Sequence, residues 1–120
     1  MVKSVLLVED EAVLLLSLTA LLQEMGFEVM AAMNGEMALE ILETESPDAV
    51  VSDLRLPDMS GLDLLHHVKE NPSWGDRLFV LVTGAVDEIW QGDHPDMGLC
   101  WMLPKPFNPK ELVAILQHTN

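Results

Sequence analysis

The sequence predicts an α/β domain: a doubly wound, five-stranded parallel sheet with helices on both faces. Three observations predict it. Five short apolar runs recur along the 120 residues without polar alternation. The segments between them mostly repeat apolar residues every three or four positions. The runs end, at four of their carboxyl ends, in acids, a hydroxyl or an ammonium. Strands without alternation are buried on both faces, which calls for helices above and below a parallel sheet.

The elements follow in order. "SVLLV" is the first strand, ending in Glu9, Asp10 and Glu11. Leu14, Leu18, Leu21 and Met25 then mark a helix from Glu11 to about Met25, stopped by Gly26. "FEVMAA" is the second strand, and Asn34-Gly35 turns the chain. Met37, Leu39, Ile41 and Leu42 mark a second helix that ends near Ser46-Pro47. "DAVVSD" is the third strand. After the loop Pro57 to Gly61, Leu62, Leu64, Leu65 and Val68 mark a third helix, ending before Asn71-Pro72. "LFVLVTG" is the fourth strand. The stretch "AVDEIWQGDHPDMG" should be helical if the alternation holds, but Gly92 and Pro95 argue against a full-length helix. "CWML" is a short fifth strand. Glu111 to Gln117 forms the last helix, with Asn108 and Pro109 suited to its cap and first turn.

The length suits one domain, residues 1–120, with no repeat, linker or low-complexity tract. Ala12 to Leu22 is the longest apolar stretch. It is broken by Ser17 and Thr19 and is too short to span a bilayer, and no basic leader is present, so neither a membrane span nor a signal peptide is expected. One cysteine, Cys100, excludes an internal disulfide and agrees with a cytoplasmic location. A net charge of −14 with six scattered basic residues repels phosphate backbones and argues against direct nucleic-acid binding.

In an open α/β sheet the functional crevice lies beyond the carboxyl ends of the strands. Those ends carry Glu9, Asp10 and Glu11, then Asp53, then Thr83-Gly84, then Lys105. If the first, third, fourth and fifth strands are neighbours, carboxylates, a hydroxyl and an ammonium converge on one pocket. Clustered carboxylates resist ionisation unless a cation is present. Mg²⁺ suits them best, since it takes one or two carboxylates plus water and phosphate oxygens. The ammonium and hydroxyl then need an anionic partner rich in acceptor oxygens, and a phosphoryl group meets all three demands. Each residue alone has a plainer reading: Asp53 as a turn cap, Glu9 to Glu11 as helix-start acids, Thr83 as a strand former, Lys105 as a surface charge.

At this point the residues resemble a known family. "VEDE", "SDLRLPDMSG", "VTGA" and "PKPF", each after its strand and in this order, are similar to the receiver domain of two-component response regulators. The resemblance covers nearly the whole chain. It implies the flavodoxin-like, CheY-like three-layer α/β/α fold with strand order 2-1-3-4-5. It also implies roles. Asp53 is the phosphoacceptor, a nucleophile toward a phosphohistidine on a histidine kinase or histidine phosphotransfer protein. Asp10, Asp53 and the backbone carbonyl of Arg55 hold Mg²⁺, and Glu9 does so through water. Lys105 pairs with a phosphoryl oxygen, and Thr83 turns its hydroxyl inward once the phosphoryl group is present. Gly84 leaves the entrance open, and the bond before Pro106 is cis. Such a domain is not a classical enzyme, though it catalyses its own phosphorylation and the hydrolysis of its aspartyl phosphate. It changes conformation for a downstream effector protein or domain. It can stand alone as a phosphorelay shuttle or belong to a larger regulator or hybrid kinase.

Three departures from the family pattern bear on the output. Met102, with Trp101 beside it, occupies the position three before the lysine where an aromatic switch residue is usual, so either could take that part. Gly92 and Pro95 fall in a helix that often forms part of the signalling face. Leu15 and Leu16 stand beside the expected buried stripe of the first helix, where charges are common, and are expected either to dock the phosphodonor or to pack against the last helix. The methionines Met25, Met30, Met33 and Met37 are expected as core filler, Cys100 as a buried strand residue, and at least one of His66 and His67 as exposed. Two other readings are weighed: a receiver-like interaction module that is not phosphorylated, which the intact Asp10, Asp53, Thr83 and Lys105 oppose, and a nucleotide- or flavin-binding domain, which would need a glycine-rich loop where "VEDEAV" stands.

Overall fold

A computed structural model describes residues 2–75, 77–84 and 100–118. Among them are five strands, β1 (Ser4–Val8), β2 (Glu28–Ala32), β3 (Ala49–Asp53), β4 (Leu78–Thr83) and β5 (Cys100–Pro104). Four helices accompany them: α1 (Ala12–Glu24), α2 (Gly35–Thr44), α3 (Gly61–Glu70) and α4 (Pro109–His118). All strand pairs are parallel and the order is β2-β1-β3-β4-β5, as expected. The expected helix between the fourth and fifth strands, with Gly92 and Pro95, lies outside the described residues, as does the side chain of Cys100. No helix among the described residues is long and apolar enough to cross a membrane.

The sheet separates two apolar cores. On one face Leu15, Leu18 and Leu22 of α1 and Leu112 and Leu116 of α4 pack on Val5, Leu7, Val51 and Val80. On the other, Ala38 and Leu42 of α2 and Leu64, Leu65 and Val68 of α3 pack on Leu6, Val8, Val50 and Phe79. Successive residues of β1 therefore serve opposite cores, which is why that strand reads as a continuous apolar run.

Local sequence sets the helix ends. Gly26 adopts φ +97°, and the N–H groups of Gly26 and Phe27 donate to the carbonyls of Gln23 and Leu22, a Schellman close that favours glycine. Asn34, expected as a turn residue, is the N-cap of α2: its Oδ1 accepts from the Met37 N–H at 2.8 Å. Ser60 and Asp63 form a capping box on α3. Asn108 Oδ1 accepts from the Lys110 N–H at 3.0 Å, so Asn108 and Pro109 start α4 as expected. Glu11 stands at the N-cap of α1, as expected of a helix-start acid, though its side chain makes no cap bond.

Two expectations about packing are corrected. The buried stripe of α1 is Leu15, Leu18 and Leu22, not Leu14, Leu18, Leu21 and Met25; Leu14 and Leu21 are half-buried and Met25 is exposed. Leucines at 14, 15, 16, 21 and 22 put an apolar residue in every phase, so periodicity alone could not choose one. Met33 and Met37 are exposed too, and of the four methionines only Met30 packs against a core.

Candidate functional site

The strand order meets the condition for convergence: β1, β3, β4 and β5 are consecutive neighbours, and parallel pairing puts their carboxyl ends along one edge. The register takes Asp53 opposite Val82 and Thr83 opposite Pro104. Backbone bonds continue past the strand ends. The Leu54 N–H donates to the Val82 carbonyl at 3.0 Å, and the Lys105 N–H to the Thr83 carbonyl at 2.8 Å. Asp53 and Lys105 are thus fixed to β4 from either side. The Lys105–Pro106 bond is cis, as the family resemblance implied.

At this edge one ammonium serves two carboxylates. Lys105 Nζ lies 3.3 Å from Asp53 Oδ1 and 3.7 Å from Glu9 Oε2. Glu9, Asp10 and Asp53 each present a carboxylate oxygen within 4.8 Å of the others. Glu9 is buried, at 4% exposure, and Asp10 is exposed to solvent. Burial, and then the Asp53 carboxylate, push the Glu9 carboxyl above its ordinary range, with Asp10 adding to the effect. Lys105 and the Glu11 N–H, which donates to Glu9 Oε1 at 3.2 Å, oppose it. Three carboxylates with converging oxygens fit a hard divalent cation.

Thr83 is buried, at 3% exposure, and reaches the group through its backbone bond to Lys105. Arg55, two residues beyond Asp53, is exposed and bridges to Ser60 across the β3–α3 loop. Gly61 approaches Asp53 closely: a Cβ there would overlap the Asp53 carbonyl oxygen and come within 2.7 Å of Leu81 Cδ1. Glycine is therefore required behind the phosphoacceptor candidate. At exposed Gly84 a Cβ would meet no described residue within 4 Å. Met102 is partly buried against the α2–α3 core, whereas Trp101, next to it in β5, is 48% exposed.

The expected docking pair divides. Leu15 is 7% exposed and belongs to the core under α1, so it does not present a docking surface, while Leu16 is 70% exposed with Val13 near it. The cause is the phase of α1 described above. Between α1 and the start of α4, Leu14, Leu18, Lys105 and Phe107 line an open groove of about 380 Å³ that reaches the acidic cluster at Lys105. Asp58 was not singled out from sequence. Its two oxygens accept from the Gly35 and Glu36 N–H groups, both at 2.8 Å, and these bonds hold its carboxyl below the ordinary carboxylate range. The only signal for it was an aspartate following a proline in a turn.

Comparison with known proteins agrees with this geometry. The family model for the response regulator receiver domain matches residues 5–117. The chain is 35% identical over 111 residues to the response regulator MprA of Mycolicibacterium vanbaalenii, covering 92% of this chain and 47% of that protein. It is 34% identical over 116 residues to the sensor kinase CckA of Brucella abortus, covering 95% of this chain and 12% of that one. The chain thus spans about half the length of MprA and a small part of CckA. The structure of the chemotaxis response regulator CheY4 of Vibrio cholerae matches with a TM-score of 0.86 at 26% identity, over 98% of both chains. The acidic cluster of Glu9, Asp10 and Asp53 is typical of the Mg²⁺ site of such domains. The relatives include kinases and transcriptional regulators, components of two-component systems. By its sequence and its fold the chain belongs to the receiver domains of two-component response regulators, and it is not a classical enzyme.

Proposed function

We propose that this receiver domain accepts a phosphoryl group on Asp53 from a phosphohistidine of a histidine kinase or histidine phosphotransfer protein. One observation carries the reading: Asp53 shares Lys105 at 3.3 Å and faces two further carboxylates whose oxygens lie within 4.8 Å. Asp53 Oδ attacks phosphorus, an O–P bond forms and the N–P bond breaks. The electron pair returns to the imidazole nitrogen, which takes a proton. Lys105 passes from its ion pair with Asp53 to a phosphoryl oxygen, holding charge that would otherwise repel the incoming group. Asp10, Asp53 and the Arg55 carbonyl would hold Mg²⁺ directly, and Glu9 would do so through water. When bound, the ion offsets carboxylate repulsion and the charge gathering on the phosphoryl oxygens.

The same site serves hydrolysis of the aspartyl phosphate by an attacking water. Thr83 donates its hydroxyl to the new phosphoryl group. The backbone bond that joins Thr83 to Lys105 then moves the ends of β4 and β5 together. Met102, packed on the α2–α3 core, and exposed Trp101 carry that change outward along β5 to an effector protein or domain. Leu16, exposed on α1, docks the phosphodonor. The domain, residues 1–120, works in the cytoplasm without direct contact to nucleic acid or membrane.

Incubation with Mg²⁺ and a small phosphoramidate, followed by intact mass, tests the reading. Gain of one phosphoryl group that requires Mg²⁺ is expected; no gain would instead favour an interaction module that is not phosphorylated, a gain that persists in Asp53→Asn would remove Asp53 as the acceptor, and gain without Mg²⁺ would remove the cation from the step. Leu16→Glu should slow transfer from a phosphorylated donor while leaving the phosphoramidate rate unchanged, and equal donor rates would remove Leu16 from the docking surface.

A further inference from the structure

The loop between β3 and α3 is held at both ends of its span. At its base the Gly61 N–H donates to the Leu54 carbonyl at 2.6 Å, and across its middle the Leu56 N–H donates to the Met59 carbonyl at 3.2 Å. At its tip Asp58 is bonded to a different part of the fold. Its Oδ1 accepts from the Gly35 N–H and its Oδ2 from the Glu36 N–H, across 23 and 22 residues of chain. Beside it, the Met59 side chain occupies the space that a Cβ on Gly35 would need. The first turn of α2 leaves N–H groups without helical partners. Asn34 takes the one at Met37, and Asp58 takes those at Gly35 and Glu36.

Arg55 lies between the base of this loop and its tip. We propose that Asp58 is a positioning residue for the cation site: by clamping the loop tip to α2 it sets the direction of the Arg55 carbonyl. This rests on the reading of that carbonyl as a Mg²⁺ ligand. A carbonyl on an exposed loop has no charge to bring it to the ion, and Mg²⁺ demands near-ideal octahedral geometry. Its contribution therefore depends on what holds the loop. A carboxylate matches two adjacent N–H groups with two acceptor oxygens, and it sits at the positive end of the helix dipole. An amide offers one acceptor and turns its NH₂ toward the second N–H.

The test is calorimetric titration of the full 120-residue chain with MgCl₂, with amide hydrogen exchange at Gly35 and Glu36 alongside. Asp58→Ala should raise the Kd for Mg²⁺ about threefold to tenfold, at or below the lower end of what loss of an outer partner of a metal ligand costs. Asp58→Asn should fall between it and the wild type. Asn34→Ala loosens the same helix start without touching the loop and should leave Kd within about twofold. In phosphoramidate reactions the Mg²⁺ concentration for half-maximal rate should rise with Kd, while the rate at saturating Mg²⁺ stays unchanged. Wild-type Kd in Asp58→Ala with faster exchange at Gly35 and Glu36 would overturn the role of Asp58. So would equal weakening in Asn34→Ala, which would make it general helix loosening. A wild-type chain that binds no Mg²⁺ would overturn the cation reading itself.

Discussion

The two ends of the sheet use the same residue type in opposite ways. At the amino end Asp48 precedes β3, and its Oδ2 accepts from the Lys3 N–H at 2.8 Å, the Ser4 N–H at 3.1 Å and the Ser4 hydroxyl at 3.4 Å. Partial burial raises the Asp48 carboxyl, but these bonds outweigh it and hold the group below its ordinary value of 3.8. At the carboxyl end Glu9 and Asp53 share one ammonium with Asp10 close to both, and Glu9 is pushed up by burial and by its acidic neighbours. One acid is surrounded by donors and fastens β1 to the start of β3. The others are surrounded by acids and have charge to spare for a cation. What separates a structural carboxylate from a ligand is its neighbours, not its place at a strand end.

Backbone contact should give the largest effect. Gly61→Ala drives a methyl into the Asp53 carbonyl oxygen and Leu81, and should cost about 3 kcal/mol, the upper end of ordinary overpacking, in urea unfolding. Gly84→Ala, where a Cβ meets no described residue within 4 Å, should stay within about 0.5 kcal/mol. Equal stability of the two would mean that the loop behind Asp53 can give way.

Cation linkage separates the two ends next. At a hundredfold excess over its Kd, MgCl₂ should stabilise the chain by about 2.7 kcal/mol. Asp48→Asn should keep that full increment, whereas Asp10→Asn should lose most of it. An increment that survives Asp10→Asn would place the cation elsewhere.

The smallest effect belongs to the amino end. Asp48→Asn should lower stability by about 1–2 kcal/mol at neutral pH, the scale of a charged acceptor bound to backbone N–H groups. The folded carboxyl lies below its unfolded value, so the stabilisation is complete above the unfolded value of 3.8 and is lost as pH falls through the lower, folded one. The gap between wild type and variant should therefore close below about pH 4. A gap independent of pH would assign the loss to packing instead of charge.

Much of this was legible in the residues themselves. The runs from Ser4, Ala49 and Leu78 are apolar at nearly every position because both faces of those strands are covered, and they became β1, β3 and β4 within a residue of their expected bounds. Glu9, Asp10, Asp53 and Lys105 could be assembled on paper because parallel strands bring like ends together. The phase of α1 could not be read, since leucine fills 14, 15 and 16 and only packing against β1 and α4 selects Leu15. Nor could the exposure of Met33 and Met37, because methionine suits a core and a surface equally. Asp58 escaped for a different reason: its partners at Gly35 and Glu36 are neighbours only after the sheet has placed α2 beside the β3–α3 loop.

The proposed nucleophile is the carboxylate at the end of β3. This role is tested most directly by treating the chain with Mg²⁺ and phosphoramidate, reducing the acyl phosphate with borohydride and sequencing the peptides by mass spectrometry. Homoserine at position 53 alone, absent when Mg²⁺ is withheld, is the expected result. Homoserine at Asp10 or Glu-derived alcohol at Glu9, or an unmodified Asp53 in a phosphorylated chain, would contradict it.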